Sequence, residues 1–175
     1  IIPQATCQPL RYRLTQLDKI AIEVLAAAKL ETPLVAALQQ LPRTRFIACS
    51  PLYCSRPMGP NDQPDYVNGV AWLDTELTPY QLLDATQQIE LDLGRVRKSE
   101  RWGPRTLDLD LLLFGQEQMQ DERLTIPHYG MKDRAFVLVP LFDLVPDLQL
   151  PCGTALRDWV ATCDRSGLFP LADSQ

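Results

Sequence analysis

A strand is predicted at residues 106–114, which read Thr106-Leu107-Asp108-Leu109-Asp110-Leu111-Leu112-Leu113-Phe114. Side chains of a strand alternate between its two faces. The pattern therefore predicts that one face enters the core through Leu107, Leu109, Leu111 and Leu113. Asp108 and Asp110 then share the other face, about 7 Å apart. Neighbouring carboxylates repel each other and require a cationic partner. That partner is either a hard cation such as Mg²⁺ or nearby arginines at a solvated strand end.

A basic segment directly precedes this strand. Residues 94–105 read Gly-Arg-Val-Arg-Lys-Ser-Glu-Arg-Trp-Gly-Pro-Arg, a local charge of +4 in a chain of net charge −5. Arginine forks bind phosphate oxygens, and a metal on the aspartates would bridge the same phosphates. The two features together favour a metal–polyphosphate site over an exposed basic loop. No P-loop or dinucleotide glycine spacing occurs, so side chains and metal must hold a nucleotide.

A second polar cluster follows the strand. Arg123, Thr125, His128 and Arg134 are further possible donors to phosphate or ribose, and His128 is the single histidine of the chain. A structural role for this lone histidine remains the alternative. Since no serine or cysteine lies in a nucleophile motif, covalent catalysis has no support.

The remaining pattern predicts an α+β fold with a mostly antiparallel sheet in one domain, residues 1–175. Thr78 and Gln81 form a capping box, with Pro79 at the first helical position. Residues 1–30 fit a helix or a strand by periodicity. The other predicted elements are strands over 46–54 (interrupted at Pro51), 66–77 and 135–141, and helices over 78–93 and 154–163.

Composition narrows the functional class. The chain has 175 residues, 46% hydrophobic and 22% charged, and its net charge of −5 argues against nucleic-acid and anionic-membrane partners. No apolar run is long enough to span a bilayer, and no signal peptide is expected. The five cysteines are irregularly spaced and lack a Cys-x-x-Cys motif, which favours a reduced, cytoplasmic protein.

Five segments together resemble one enzyme family. They are Ser-Arg-Pro-Met-Gly-Pro (55–60), Asp-Gln-Pro-Asp-Tyr-Val-Asn (62–68), Gly-Arg-Val-Arg (94–97), Arg-Trp-Gly-Pro-Arg-Thr-Leu-Asp-Leu-Asp (101–110) and Leu-Thr-Ile-Pro-His-Tyr (124–129). They resemble the 6-hydroxymethyl-7,8-dihydropterin pyrophosphokinases of folate biosynthesis. These enzymes transfer the β,γ-diphosphate of ATP to the pterin hydroxymethyl group and release AMP. The segment at 101–110 is the most specific.

The resemblance implies a ferredoxin-like α+β core with helices on both faces of the sheet. It implies two Mg²⁺ ions on Asp108 and Asp110. No side chain is an obvious strong base for the alcohol proton, and Asp110, through a metal-polarised hydroxyl, is the best candidate for its acceptor. The implied pterin-site residues are Ser55, Met58, Tyr66, Asn68 and Phe136. The implied ATP-site residues are Gln87, Glu90, Arg105, Leu111, Arg123, Thr125, His128, Tyr129 and Arg134. The implied residues of a mobile catalytic loop are Arg95, Arg97 and Trp102, with Arg105 at its end.

The resulting prediction is a monomeric enzyme that acts on ATP and 6-hydroxymethyl-7,8-dihydropterin. Two alternative functions stay open. The family's first strand normally runs into Gly-Ser-Asn-Leu, where this chain has Ala27-Ala28-Lys29. That departure favours a catalytically weak relative that binds nucleotide or pterin. The Asp-x-Asp pair alone also fits a metal-dependent nucleotidyltransferase or phosphodiesterase.

Overall fold

The computed structural model describes residues 19–26, 31–55, 66–93 and 107–171. Its helices are α1 (Glu31–Gln39), α2 (Pro79–Leu93), α3 (Ala135–Leu144) and α4 (Leu156–Thr162), with a 3₁₀ turn at Met131–Asp133. Its strands are β1 (Lys19–Ala26), β2 (Thr44–Cys49), β3 (Tyr53–Ser55), β4 (Tyr66–Thr75), β5 (Leu107–Phe114), β6 (Met119–Gln120), β7 (Thr125–Ile126) and β8 (Leu168–Pro170). None of the helices within these ranges has the length and apolar character needed to cross a membrane.

One antiparallel sheet organises the chain. Its strand order is β5-β1-β4-β3-β8, and β2 also pairs with β4. This arrangement confirms the predicted antiparallel α+β class. It also resolves the ambiguity at the N-terminus for residues 19–26, which form a strand between β4 and β5. The Ala27-Ala28-Lys29 segment lies outside the described residues.

Two hydrophobic cores lie on opposite faces of this sheet. Ala71 and Leu73 of β4 join the core beneath α1 and α2. Val70 and Trp72, the alternate residues of the same strand, join the core beneath α3 and α4. The period-two alternation of β4 therefore divides its side chains between two helical layers.

Residues 135–141 were predicted as a strand, and this prediction is wrong. They form α3, which continues to Leu144 and contains Pro140. Val137, Leu138, Val139 and Leu141 are all buried, so the helix is apolar around most of its circumference. A short apolar run of this kind carries no periodicity that separates helix from buried strand.

The predicted alternation along β5 also requires one correction. Leu109 and Leu111 pack beneath α2 as expected, but Leu113 packs with Leu112 in the opposite core. The register between β1 and β5 shifts between Ala21 and Ile22, opposite Leu111 and Leu113. Such a bulge inserts one extra residue and exchanges the two faces beyond it. Asp108 and Asp110 precede the shift and keep their common side.

Local signals at α2 behave as predicted. The Thr78 backbone N–H donates to Gln81 Oε1 at 3.0 Å, and the Gln81 N–H donates to Thr78 Oγ1 at 3.2 Å. These reciprocal bonds form the capping box. Because the helix start is fixed in this way, the position of every later α2 side chain relative to β5 follows from it.

Candidate active site

Asp108 and Asp110 lie on the face of β5 that looks toward the α3 layer. Leu109 between them is 3% exposed and belongs to the core on the α2 side. Asp108 pairs with Leu25 of β1, which in turn pairs with Asn68 of β4. Residues directly opposite in a sheet point to the same face. Asp108 and Asn68 are therefore on one face, separated by two strand spacings of about 4.8 Å each.

His128 adjoins this carboxylate face. Its Nε2 lies 3.7 Å from Asp110 Oδ2. Its Nδ1 accepts a hydrogen bond from the Gly130 backbone N–H at 3.2 Å, so the neutral ring carries its proton on Nε2, toward Asp110. Burial lowers the pKa of His128, and the Asp110 carboxylate partly opposes this shift. The site thus presents a neutral N–H donor beside a carboxylate.

Arg134 connects His128 with the start of α3. Its guanidinium carbon lies 5.8 Å from the centre of the Phe136 ring, and its charge contributes to the lowered pKa of His128. The guanidinium also packs so close to Gly130 that a Cβ there would come within 2.8 Å of it. Tyr129 stacks on His128 at 4.7 Å between ring centres and is largely exposed.

Asn68 and Ser55 form a polar pair at the far end of the same face. Asn68 is fully buried, and its Nδ2 donates to Ser55 Oγ at 2.7 Å. A second, longer contact of 3.4 Å joins the same nitrogen to the Tyr53 carbonyl oxygen. Ser55 is opposite Tyr66 in the β3–β4 ladder. These bonds fix the amide of Asn68 between two strands.

Two α2 residues named for the ATP site have different environments. Gln87 is exposed, whereas Glu90 is 3% exposed and its Oε1 accepts a hydrogen bond from the Leu109 N–H at 2.7 Å. On the same edge of β5, the Leu112 carbonyl accepts a bond from the His128 N–H at 3.0 Å. The Leu111 side chain is buried in the core, so a nucleotide could meet only its backbone.

The structure brings Asp108, Asp110, His128, Arg134 and Phe136 together beside the sheet. Arg123 and Thr125 belong to the β6–β7 hairpin, Arg123 in its turn and Thr125 in its second strand, which packs against β5. Other predicted residues fall outside the described ranges and stay predictions. They are Met58, Arg95, Arg97, Trp102, Arg105 and the side chain of Tyr66.

Sequence reasoning missed the residues that contact Arg123. Its Nη2 forms an ion pair with Asp84 Oδ1, and its guanidinium lies over the Tyr80 ring. Tyr80 and Asp84 are four residues apart on α2, a spacing that places them on one helix face. That spacing was the available signal, but the partner on the hairpin is defined only by the tertiary fold.

The donor set fits a hard cation. Within the described ranges, no point gathers three or more His, Cys, Asp or Glu side chains. Asp108 and Asp110 offer carboxylate oxygens on one partly exposed face. Mg²⁺ is commonly bound by one or two carboxylates, with phosphate and water oxygens completing its six ligands. The residues present therefore match this ion.

Comparison with known proteins gives a consistent result. Residues 26–146 match the sequence model of 7,8-dihydro-6-hydroxymethylpterin-pyrophosphokinase (HPPK). A Pseudomonas aeruginosa protein named 2-amino-4-hydroxy-6-hydroxymethyldihydropteridine pyrophosphokinase is 59% identical over 135 residues, which cover 77% of this chain and 83% of that one. A Haemophilus influenzae protein of the same name is 55% identical over 124 residues, 71% of this chain and 77% of that one.

A solved structure resembles the fold. The crystal structure of Plasmodium falciparum HPPK-DHPS wild type with pteroate superposes with a TM-score of 0.64 at 13% identity. The match covers 82% of this chain and 42% of that longer one. At this identity it supports the fold alone, which agrees with the predicted α+β architecture.

Proposed function

Because this chain belongs to the 7,8-dihydro-6-hydroxymethylpterin-pyrophosphokinase family, we propose which of its residues carry out the family reaction. The chain is an ATP-dependent transferase of folate biosynthesis. It transfers the β,γ-diphosphate of ATP to the hydroxymethyl group of 6-hydroxymethyl-7,8-dihydropterin, which yields AMP and the pterin diphosphate. Relatives with this name do not favour a binding module or a nucleotidyltransferase.

Asp108 and Asp110 are the proposed ligands of two Mg²⁺ ions. Their shared, partly exposed face supports this role, as does the position of neutral His128 beside Asp110. When bound, the ions would supply positive charge to the phosphate oxygens. The Nε2–H of neutral His128 lies beside this face, 3.7 Å from Asp110 Oδ2, and is proposed to donate a hydrogen bond to a phosphate oxygen.

The pterin ring is proposed to lie between Phe136 and Tyr66, with Asn68 at its edge. Phe136 stands at the start of α3, over the face that also carries Asn68. The bond from Asn68 to Ser55 fixes the amide orientation, and this rigidity favours recognition of a planar polar edge. Backbone groups at Ser55 and Met58 would complete the pterin contacts.

The nucleotide is proposed to lie along the outer edge of β5. The positions of the β6–β7 hairpin and of residues 128–134 against this strand support the assignment. The proposed nucleotide-binding residues are Gln87, Glu90, Arg105, Leu111, Arg123, Thr125, His128, Tyr129 and Arg134. Among these, Glu90 joins α2 to the strand, because its Oε1 accepts a hydrogen bond from the Leu109 backbone N–H.

The chemical step requires the pterin hydroxyl oxygen to form a bond to the β-phosphorus while the bond to the α-phosphate oxygen breaks. Most of the rate acceleration is proposed to come from two effects. The attacking oxygen, the β-phosphorus and the leaving oxygen are held in line, and the charge on the phosphates is neutralised. Arg95, Arg97, Trp102 and Arg105 are proposed to surround the phosphates. The alcohol proton is proposed to pass to Asp110, the carboxylate on the active face nearest His128.

The observation that carries the proposal is the common face of Asp108, Asp110 and Asn68 beside Arg134 and Phe136. The test is a product assay by phosphorus NMR with Mg²⁺ and ATP, with and without the pterin. We expect AMP and pterin diphosphate in equal amounts, and neither without pterin. ADP as the main product, or AMP formed equally fast without pterin, would exclude the assignment.

Further parts of the proposal concern the whole chain. We propose one pyrophosphokinase domain over residues 1–175 that acts as a monomer in the cytoplasm. A single sheet that reaches from β1 to β8 supports one domain. The irregular cysteine spacing supports a reducing compartment. Size-exclusion chromatography with light scattering should give a mass near 19.8 kDa.

A further inference from the structure

Arg123 is held at its guanidinium by two residues of α2. Its Nη2 pairs with Asp84 Oδ1, and its Cζ lies 5.8 Å from the centre of the Tyr80 ring. Tyr80 and Asp84 are one helical turn apart, so they present a carboxylate and an aromatic face side by side. The guanidinium therefore has an ionic and a cation–π partner on the same helix face.

The backbone end of Arg123 is held as well. Asp121 Oδ1 accepts hydrogen bonds from the N–H groups of Arg123 and Leu124, both at 2.8 Å. The Tyr80 hydroxyl donates to the other carboxylate oxygen, Asp121 Oδ2. The contacts thus form a closed cycle through Tyr80, Asp121, Arg123 and Asp84. We refer to Tyr80, Asp84 and Asp121 as the Arg123 clamp.

The Arg123 clamp lies beside the strand that carries the two aspartates. Both α2 and β7 pack against β5, and Thr125, the first residue of β7, follows Arg123 by two positions. The Arg123 clamp therefore joins α2 to the hairpin at the same edge of β5. A substitution of Tyr80 or Asp84 would change the orientation of the Arg123 guanidinium and would leave the backbone of β5 largely unchanged.

We infer that Asp84 and Tyr80 are positioning residues for nucleotide binding, acting through Arg123. The inference rests on the proposed assignment of Arg123 to the nucleotide site. A free arginine loses much rotamer freedom when it binds a phosphate, whereas a guanidinium that is already held loses less. Because arginine has five N–H donors, contact with one oxygen of Asp84 leaves donors for a ligand.

The negative charge of Asp84 opposes this gain in nucleotide affinity, since a carboxylate repels phosphate. Its side chain is 62% exposed and that of Arg123 is 48% exposed. Water and salt screen interactions between groups this exposed. The repulsion acts across solvent and is screened more strongly than the direct contact between Asp84 and Arg123. We therefore expect the positioning effect to exceed the repulsion, so that removal of Asp84 weakens nucleotide binding.

The test measures binding of a non-hydrolysable ATP analogue with Mg²⁺ by calorimetry, together with steady-state kinetics. Asp84→Ala should raise the analogue Kd and the KM for ATP by about 3- to 10-fold. The kcat and the KM for the pterin should stay within about twofold, because the pterin residues lie elsewhere. Asp84→Asn keeps an oxygen acceptor and should give an intermediate Kd.

Asp147→Ala is the matched control. It breaks another exposed ion pair, Asp147 with Arg157 at 2.8 Å, in which Asp147 follows α3 and Arg157 belongs to α4. Its Kd and KM for ATP should equal those of the unmodified chain. Thermal unfolding of each variant verifies that the fold is retained.

The double variant Asp84→Ala/Arg123→Ala separates the two assignments. If Asp84 acts through Arg123, then Asp84→Ala has no further effect on Kd in the Arg123→Ala background. An unchanged or lowered Kd for Asp84→Ala, or an equal increase in both backgrounds, would overturn the positioning role alone. If Arg123→Ala by itself leaves Kd unchanged, the nucleotide-site assignment of Arg123 is wrong and the inference fails with it.

Discussion

Asp108 and Asp110 illustrate what a single residue type at a given spacing can specify. Their alternation with Leu109 and Leu111 was sufficient to predict the shared face, because the strand period is a local property. Their distance to His128 was not predictable, since it depends on how residues 124–130 return to β5. The 3.7 Å contact between His128 and Asp110 is thus a tertiary feature.

At these two positions we predict that Asp108→Asn and Asp110→Asn each lower kcat by about 100-fold or more. The amide keeps the shape of the side chain but loses the negative charge that makes a carboxylate a strong ligand of Mg²⁺. Steady-state turnover at saturating Mg²⁺ and ATP measures the effect. The exposed Asp92→Asn on α2 serves as control and should retain full turnover. Turnover near normal in either β5 variant would exclude the metal assignment.

At the scale of elements, the predictions succeeded where local chemistry defines the structure. The capping box at Thr78 predicted the start of α2, and the alternation of residues 107–111 predicted the first part of β5, before the register shift. α3 was predicted as a strand because burial on most sides removes the amphipathic period. β1 was ambiguous because its conformation depends on β4 and β5, which lie more than forty residues away in sequence.

The α2–β5 junction depends on Glu90, which leads to a prediction about stability. Glu90→Ala leaves the buried Leu109 N–H without its acceptor and should lower the free energy of unfolding by about 1–3 kcal/mol. Glu90→Gln retains an oxygen acceptor and should recover most of this loss. Urea denaturation followed by circular dichroism measures both. Equal losses for the two variants would mean that this hydrogen bond is not the cause.

The β3–α3 junction depends on Tyr53, whose hydroxyl donates to Asp143. Burial, followed by the Asp143 bond, raises the pKa of Tyr53 above its usual value near 10. The neutral phenol is therefore favoured in the folded state. Its contribution to stability is complete below pH 10, where the tyrosine is also neutral in the unfolded chain, and declines as pH rises further.

Tyr53→Phe tests this junction. It should lower the free energy of unfolding by about 1 kcal/mol at pH 7 to 9, the value for a partly exposed hydrogen bond to a charged group. The difference from the unmodified chain should shrink above about pH 10. Urea denaturation at a series of pH values gives the difference directly, which removes the contribution of other titrating groups. A constant difference up to pH 11 would contradict the raised pKa.

At the scale of the molecule, the two faces of the sheet have different roles. The α1–α2 layer packs against one face through an apolar core, and the described site residues gather on the other face or along the β5 edge. Phe136 and Asp143 belong to the same helix, α3, so the aromatic residue proposed for the pterin and the anchor of β3 move together. Substrate binding is therefore expected to stabilise the sheet as a whole.

If the metal on Asp108 and Asp110 bridges the protein to ATP, then stabilisation of the fold by ATP depends on the metal. ATP at about 100 times its Kd should add about 2.7 kcal/mol to the free energy of unfolding. For a chain of this length, the melting temperature should rise by about 5–10 °C. Without a cation, the polyphosphate meets the carboxylates of Asp108 and Asp110 directly, and their repulsion opposes binding. Differential scanning calorimetry with ATP should therefore show this rise in melting temperature in Mg²⁺ and lose most of it in excess EDTA.

Asp110→Asn should reduce the ATP-induced rise in melting temperature in Mg²⁺, while the melting temperature of this variant without ligand stays close to that of the unmodified chain. An ATP shift of equal size with and without Mg²⁺ would show that the nucleotide binds independently of the β5 carboxylates, and the metal bridge between them would have to be abandoned.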